Sequence, residues 1–244
     1  MANLLAHLGL HVTFMALATL GLHTAATLLT IRASKKYLQQ REKRTGKKTL
    51  PSYDILISCQ HSIDCKSEAP IFCYGCANER CYFANINRMI MIVDSSTKSI
   101  CLSMYILSNF DLTFAIIEAQ KRGVRVRVLT DYKMFENNLC VEKLLENNVP
   151  IRIKESAENI MHHKLCLIDT EEEEREPVPT RGYVYDIPKT GAAMLGSQNW
   201  CLQALTVNYD NTIITTDVAI LVPLQQEFER MWDDFSPRKL NRRY

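Results

Sequence analysis

The chain has 244 residues, 47% of them apolar, and a formal net charge of only +2. This size fits one globular domain with an appendage, and the near-neutral charge excludes a uniformly basic nucleic-acid binder. Any contact with nucleic acid must therefore rely on a local groove. Nine cysteines, an odd number spread along the chain, fit a reducing compartment better than a disulfide framework.

The N-terminal region divides into an uncharged part and a basic part. Residues 1–31 contain no Lys, Arg, Asp or Glu, whereas residues 32–48 hold eight bases against one acid, a net charge of +7. A secretory signal would place its bases first and a matrix transit peptide would contain arginines, so neither fits. The pattern predicts a membrane anchor over 1–31, with a span at about 8–31, and places the C-terminal domain on the cytoplasmic side. An amphipathic helix packed on the domain is the alternative.

Hydrophobic periodicity predicts strands that alternate with helices through the rest of the chain. A strand at 53–58 leads into a cysteine-rich loop at 59–81. The strands that follow are expected at 99–106, 124–130, 149–153, 164–168, 192–195 and 212–215. Helices are expected at 83–93, 112–121, 141–146 and 221–235. This order predicts an α/β sandwich with a central mixed sheet flanked by helices.

One acidic stretch, residues 170–190, interrupts the alternation and contains three prolines and a glycine. These residues predict a long, irregular and mobile surface loop. The resulting organisation is an anchor (1–31), a basic juxtamembrane linker (32–50), a folded domain (51–236) that carries this insertion, and a basic tail (237–244).

The segment Met161-His162-His163-Lys164 is the most informative part of the chain. His162 and Lys164 are two residues apart at the start of a predicted strand, so their side chains share one face and His163 takes the other. A neutral imidazole beside an ammonium suits attack on a phosphodiester, because the ring can act as nucleophile while the cation neutralises the phosphoryl oxygens. Alone, the pair fits the exposed end of an ordinary strand equally well.

A second polar segment, Gly196-Ser197-Gln198-Asn199, ends another predicted strand. The small residue, the hydroxyl and the amide could converge on an anion, although a turn with Ser197 as a helix N-cap is the simpler interpretation. Together the two segments resemble the HxKxxxxD and GSxN signatures of the phospholipase D superfamily. The matching residues are His162, Lys164 and Asp169 in the first signature and Gly196, Ser197 and Asn199 in the second.

The resemblance narrows to the Zucchini branch, whose members are also called mitochondrial cardiolipin hydrolases. It is carried by the run from Arg122 to Asp131 and by both signatures, the second followed by Trp200. It covers about residues 53–235 and includes an N-terminal anchor, which implies one phospholipase D-like sandwich preceded by a transmembrane helix. The acidic stretch departs from the family because it lengthens the link between the two signatures.

The resemblance implies a mechanism without a catalytic metal. His162 would attack phosphorus to form a phosphohistidine, while Lys164 and Asn199 hold the phosphate and Ser197 supports them. An acidic residue on the next strand, by position Asp210, would orient the histidine. Asp169 belongs to the signature and is counted with the catalytic candidates, although its strand parity is opposite to that of His162 and favours a structural role.

The number of histidines points to a homodimer with a shared active site. The reaction needs a nucleophile and a general acid, and the chain has one HxK motif. His61 lies among cysteines, His163 points away, and the other three histidines lie in the predicted anchor. The acid is most simply His162 of a second protomer across a two-fold axis.

The cysteine-rich loop predicts a structural zinc site. Cys73 and Cys76 have the short spacing of a zinc knuckle, Cys81 follows closely, and the fourth ligand could be Cys65, Cys59 or His61. Reduced cysteines without a metal are the alternative. The resemblance implies zinc and favours Cys65.

Two substrate classes share this chemistry. The resemblance implies a single-strand-specific endoribonuclease on the mitochondrial outer membrane, with a role in piRNA formation and transposon silencing, and this reading is favoured. The alternative is a lipase that hydrolyses cardiolipin to phosphatidate, and a silent membrane scaffold is a third class. A basic groove would favour RNA, and the candidate bases are Arg125, Arg127, Arg152 and Lys154, which could equally be solvated strand residues.

Overall fold

A computed structural model describes residues 28–29, 31–33, 46–155, 158–173, 175–180 and 182–238. The strands are β1 (Gly46–Thr49), β2 (Tyr53–Ser58), β3 (Ser99–Met104), β4 (Arg125–Asp131), β5 (Ile151–Lys154), β6 (Lys164–Ile168), β7 (Tyr183–Asp186), β8 (Ala192–Gly196), β9 (Asp210–Thr215) and β10 (Ser236–Arg238). The helices are α1 (Tyr82–Asp94), α2 (Phe110–Arg122), α3 (Leu139–Glu146), α4 (Leu202–Thr206) and α5 (Val218–Asp234).

Eight of the strands form one mixed sheet in the order β10-β5-β4-β3-β6-β8-β9-β2. The pairs β3–β4 and β4–β5 are parallel, and the remaining pairs are antiparallel. The predicted α/β fold with a mixed central sheet is therefore confirmed. Strand directions bring the ends of β2, β3, β4, β5 and β8 to one edge of the sheet, together with the starts of β6 and β9. We call this edge the catalytic edge.

Two hydrophobic layers cover the sheet. Apolar residues of α1, α2 and α3 pack on one face, where Met89, Ile116 and Leu144 are fully buried. Helix α5 packs on the other face through Leu221, Phe228 and Met231. Helix α2 begins at the N-cap Asn109, whose side chain accepts a hydrogen bond from Leu112, and ends at Gly123 in a left-handed conformation. The helix predicted at 112–121 thus extends from Phe110 to Arg122.

The acidic insertion is more ordered than its composition predicts. Strand β7 lies within it and pairs in parallel with β1, which comes from the basic linker. Val184 and Tyr185 are buried, and the Tyr185 backbone N–H donates to Ser95 Oγ at 2.7 Å. The prediction of an irregular surface loop is therefore wrong for this part of the insertion, because apolar side chains pack it against the end of α1.

Most of the predicted anchor (1–31), much of the linker and most of the tail lie outside the described residues. Among the residues that the structure describes, no helix combines the length and the apolar character required to cross a bilayer.

Candidate active site

The start of β6 places His162 and Lys164 on the catalytic edge. His162 is exposed, whereas Lys164 is buried, with 8% of its surface accessible. The Lys164 ammonium donates a hydrogen bond to the backbone carbonyl of His162, with an Nζ–O distance of 2.8 Å. A cation is thus fixed beside the imidazole, as the two-residue spacing predicts.

The charges around His162 favour a neutral ring. Burial lowers the pKa of His162, and the Lys164 ammonium lowers it further, while the buried Asp131 carboxylate acts in the opposite direction. Burial also lowers the pKa of Lys164, against the attraction of Asp210. An imidazole with a lowered pKa has a free lone pair near neutral pH, which a nucleophile requires.

The GSxN segment begins at the end of β8 and lies at the same edge. Gly196 has φ +154°, and a Cβ at this position would lie 2.4 Å from the Asn211 carbonyl oxygen, so only glycine fits without a backbone shift. Ser197 Oγ donates to Asp210 Oδ1 at 2.7 Å. The Asn199 side-chain oxygen accepts from the Ile106 N–H at 3.1 Å, which leaves its NH₂ group as the donor available to an anion.

Gln198, the variable residue of the GSxN signature, has a structural role. Gln198 is buried and donates to Ser58 Oγ and to the Ala204 carbonyl, and it accepts from Thr212 Oγ1. It therefore ties together β2, β9 and α4 behind the exposed Ser197.

Asp169 lies at the opposite end of β6 and outside this group. It adopts a left-handed conformation (φ +55°). Its carboxylate accepts hydrogen bonds from the backbone N–H groups of Thr97, Lys98 and Ser99 and from the Thr97 hydroxyl, at 2.7–3.2 Å. The inclusion of Asp169 among the catalytic candidates is corrected accordingly: it fixes the turn before β3, as its strand parity indicates.

Two further residues at this edge were missed by the sequence reasoning. Asp131, buried at the end of β4, accepts the Met161 N–H at 2.8 Å and so holds the residue before His162. Tyr105 follows β3, and its ring contacts the His162 ring at a centroid distance of 4.9 Å. Their position in the sequence could have indicated them, because each lies at or just after the end of a strand that reaches the same edge as His162.

A cavity of about 940 Å³ opens beside the site. Its apolar lining includes Ile160, Leu195, Leu224 and Phe235, and its charged lining has both signs. The charged residues are Lys154, Lys164 and Arg230 together with Glu155, Glu227 and Asp234. The opening beside His162 is therefore a mixed apolar and polar channel rather than a basic groove.

Three of the four candidate groove bases are engaged elsewhere. Arg127 is buried between Glu171 and Glu229, Arg125 pairs with Glu171 and Glu173, and Arg152 lies over the Trp232 ring at 4.7 Å. Only Lys154 lines the cavity. The acidic insertion and helix α5 thus supply the counter-charges for the Val-Arg strand.

The sulfur atoms of Cys65, Cys73, Cys76 and Cys81 lie within 4.8 Å of one another. Backbone N–H groups of Lys66 and Asn78 lower the pKa of Cys76 to about 7, while burial raises the pKa of Cys73 to about 12 and that of Cys81 to about 11. The alternative ligands Cys59 and His61 are not part of this group, and His61 instead lies 3.5 Å from the Asp64 carboxylate.

Comparison with known families gives one match over most of the domain. A family described as "Cardiolipin synthase, PLD-like domain" matches residues 89–232. The mitochondrial cardiolipin hydrolase of Drosophila melanogaster is 32% identical over 162 residues, which cover 66% of this chain and 64% of the relative. The Homo sapiens relative of the same name is 28% identical over 63% of this chain and 53% of its own length. The matched region spans less than two thirds of the length of either relative.

Solved structures show the same fold at lower identity. The phospholipase D family member Nuc from Salmonella typhimurium superposes with a TM-score of 0.54 at 17% identity, covering 78% of this chain and 100% of that chain. NucT from Helicobacter pylori gives a TM-score of 0.53 at 17% identity, with 76% and 98% coverage. Both likenesses support the architecture alone.

Proposed function

The chain belongs to the phospholipase D-like family, and on this premise we propose that it is a phosphodiesterase with His162 as nucleophile. The observation that carries the proposal is the buried Lys164 ammonium held 2.8 Å from the His162 carbonyl, at the edge where Ser197 and Asn199 also lie. An imidazole with a lowered pKa and an adjacent cation are the groups that attack on phosphorus requires.

The proposed reaction has two steps. A ring nitrogen of His162 forms a bond to phosphorus as the bond from phosphorus to the leaving oxygen breaks, and that oxygen takes a proton from a general acid. Water then attacks the phosphohistidine, its proton passes to the group that acted as the acid, and His162 is released. Lys164 and the Asn199 NH₂ group neutralise charge on the phosphoryl oxygens, while Ser197 is held by Asp210. No step requires a metal ion.

We propose that the general acid is His162 of a second copy of this chain. An uncovered apolar surface supports a homodimer: Tyr53, Ile55 and Ile57 of β2 and Ile213 of β9 are 39–61% exposed, with Ile55 directly opposite Ile213. They lie on the face that α5 covers only in part, and β2 and β9 both reach the catalytic edge. An apolar strand at a sheet edge is normally covered by a partner.

For the substrate, the cavity favours an anionic phospholipid over RNA. Its apolar lining can accept acyl chains, and only Lys154 of the four candidate bases lines it. Cardiolipin, the lipid in the relatives' printed names, is the first proposed substrate. Single-stranded RNA, with a role in piRNA formation, is the second, and the exposure of His162 and Ser197 on an open edge favours it because a polymer could pass there. The relatives' names also support a proposed location on mitochondria, and single-pass insertion in the outer membrane is the finer form of that proposal.

The deciding experiment compares the two substrates in parallel. The full chain is incubated with cardiolipin vesicles and with labelled single-stranded RNA, each with and without EDTA, next to the His162→Ala variant. We expect phosphatidate release that survives a short EDTA treatment and is absent in the variant. RNA cleavage with intact cardiolipin would reverse the substrate order, and equal activity in the variant would refute the nucleophile.

We also propose a structural zinc ion at Cys65, Cys73, Cys76 and Cys81. Four sulfurs within 4.8 Å fit a tetrahedral site with Zn–S bonds of about 2.3 Å. The N–H groups of Lys66 and Ser67 point at Cys76 and Cys65 sulfur, both at 3.4 Å, and stabilise thiolates. Elemental analysis of the purified chain should find zinc that Cys73→Ser loses and the matched control Cys59→Ser keeps. Equal zinc content in the two variants would refute this ligand set.

A further inference from the structure

One aromatic ring contacts both principal groups of the proposed site. The Tyr105 ring meets the His162 ring edge-to-face, with a centroid distance of 4.9 Å and an interplanar angle of 61°. The Lys164 ammonium lies over the same ring, 5.2 Å from its centroid. The Tyr105 backbone N–H donates to the His163 carbonyl at 3.0 Å, so the ring is anchored between the two residues it touches.

We propose that Tyr105 is a positioning residue that fixes the His162 imidazole and the Lys164 ammonium relative to each other through the faces and edges of its ring. Both contacts have the geometry in which an aromatic quadrupole attracts its partner: an edge-to-face ring pair and a cation over the ring face. The inference rests on the proposed phosphodiesterase function, because it concerns the orientation of that nucleophile and that cation.

The ring, rather than the hydroxyl, is the part of Tyr105 that acts. No hydrogen bond of its hydroxyl appears among the described residues, whereas both ring contacts involve the proposed catalytic groups. The acid implied for the task of orienting His162 is Asp210, which accepts the Ser197 hydroxyl at 2.7 Å and makes no hydrogen bond to His162 among the described residues. The imidazole is exposed at the edge of the sheet, so a side contact is needed to hold one ring orientation.

The Tyr105 ring also stabilises the Lys164 ammonium. Its ammonium is buried and bonds a neutral carbonyl, and among the described residues it makes no ion pair. The π face of Tyr105 therefore replaces part of the lost hydration of this cation without neutralising its charge. A carboxylate in the same place would stabilise the ammonium more strongly but would repel a phosphate.

The test compares Tyr105→Phe, which keeps the ring, with Tyr105→Leu, which keeps only bulk, in the full chain with bis(p-nitrophenyl) phosphate as substrate. Tyr105→Phe should retain most of the wild-type kcat. Tyr105→Leu should lose about tenfold to a hundredfold in kcat, the size expected for a misplaced reactive group, with little change in KM. Tyr132→Leu, at an exposed tyrosine of the same edge, is the matched control and should behave as wild type. Tyr105→Met replaces Tyr105→Leu if the latter does not fold.

The pH profile separates positioning from a general structural role. His162 is faced by Asp131, His163 and Lys164, and Lys164 by Asp210, and these groups remain in every variant. Loss of the ring removes stabilisation of the charged lysine, so its pKa falls and the alkaline limb of kcat moves to lower pH in Tyr105→Leu but not in Tyr105→Phe. A loss of activity that is equal at every pH, or a Phe variant as poor as the Leu variant, would overturn the proposal.

A spectroscopic readout keeps this inference distinct from the proposed function. The ring proton resonances of His162 are assigned by their loss in His162→Ala and should carry the ring-current shift of Tyr105. They should be retained in Tyr105→Phe and displaced in Tyr105→Leu, whether or not the substrate is turned over. Unchanged His162 resonances in Tyr105→Leu would refute the positioning contact, whereas an inactive wild-type chain with the expected shifts would refute only the phosphodiesterase.

Discussion

Two buried cations, Arg127 and Lys164, lie on neighbouring parts of one sheet with opposite surroundings. Arg127 is 5% exposed and its guanidinium contacts Glu171 at 2.7 Å and Glu229 at 2.6 Å, with the rings of Phe228 and Trp232 at 5.0 and 5.2 Å. Lys164 is 8% exposed, and across the described part of the chain no carboxylate lies within ion-pair distance of it. Its contact partners are a neutral carbonyl and the Tyr105 ring, and the Asp210 carboxylate attracts it only from beyond ion-pair distance.

Under the proposed function, the difference separates a charge that serves the fold from a charge held for a ligand. A buried cation with two carboxylates is fully compensated inside the protein and has nothing left to offer an anion. A buried cation without a counter-ion costs folding free energy, and it persists where an external anion completes the site. Charge pairing, more than charge itself, therefore identifies the catalytic edge.

Removal of Arg127 should give the largest effect on stability. In Arg127→Met, Glu229 loses the Arg127 guanidinium and the buried Glu171 carboxylate keeps only Arg125 at 3.4 Å, so we expect a loss of about 3 kcal/mol in the free energy of unfolding. Urea denaturation measures it, with Arg125→Met as control, since Arg125 is about one-third exposed and should cost at most about 1 kcal/mol. Equal losses in the two variants would show that the buried network has no special role.

Removal of Lys164 should have the opposite effects: a large loss of activity and no loss of stability. Lys164→Met should reduce kcat by about 10²–10³-fold, as for the loss of one group that stabilises transition-state charge. Its unfolding free energy should stay the same or rise, because an unpaired buried cation is replaced by an apolar chain of similar length. Steady-state kinetics and urea denaturation on the same preparation test both parts, and a destabilised but active variant would contradict the comparison.

The proposed dimer predicts a smaller effect, a twofold difference in activity between a shared active site and two independent sites. If His162 from both protomers completes each site, equal mixing with His162→Ala chains under free exchange leaves about a quarter of the dimers intact. Activity per total chain should then fall to about a quarter of the all-intact value, whereas independent sites would retain about half. Tagged heterodimers purified from both homodimers provide the direct measurement, and half-activity in that fraction would exclude a shared site.

The smallest effect concerns acid stability. The hydrogen bond from Arg127 holds the pKa of Glu229 below its ordinary value of 4.5. The stabilisation is therefore present above the unfolded-state pKa and is lost as the pH falls through the lower, folded value. Urea midpoints measured from pH 6 downward should fall more steeply in the wild type than in Glu229→Gln. Parallel pH dependences in the two proteins would mean that Arg127 does not favour the charged form of Glu229.

Features that are encoded by short sequence patterns could be predicted. Apolar and alternating patterns predicted every strand of the large sheet except β10. Parity separated His162 and Lys164 from Asp169, whose carboxylate binds backbone N–H groups. Local spacing also brought Cys73, Cys76 and Cys81 into one group. In each case the information lies within a few residues of the feature itself.

Features that depend on distant pairing could not be predicted. Strand β1, Gly-Lys-Lys-Thr, has no apolar alternation, and its partner β7 lies far along the chain inside the insertion. The acids that neutralise Arg125 and Arg127 come from the same insertion and from α5, so the alternating Val-Arg strand resembled a basic groove. Tyr105 and Asp131 acquire their roles only when β3, β4 and β6 are aligned.

The loop after Tyr105 is joined to the GSxN segment by three amides. The Ile106 N–H donates to the Asn199 side chain, and the N–H groups of Ser108 and Asn109 both donate to the Trp200 carbonyl. Those amides can exchange with deuterium only when the loop separates from Asn199 and Trp200, because exchange requires the hydrogen bond to open. Their exchange rates in a resting sample thus record how often the two halves of the phosphate site come apart.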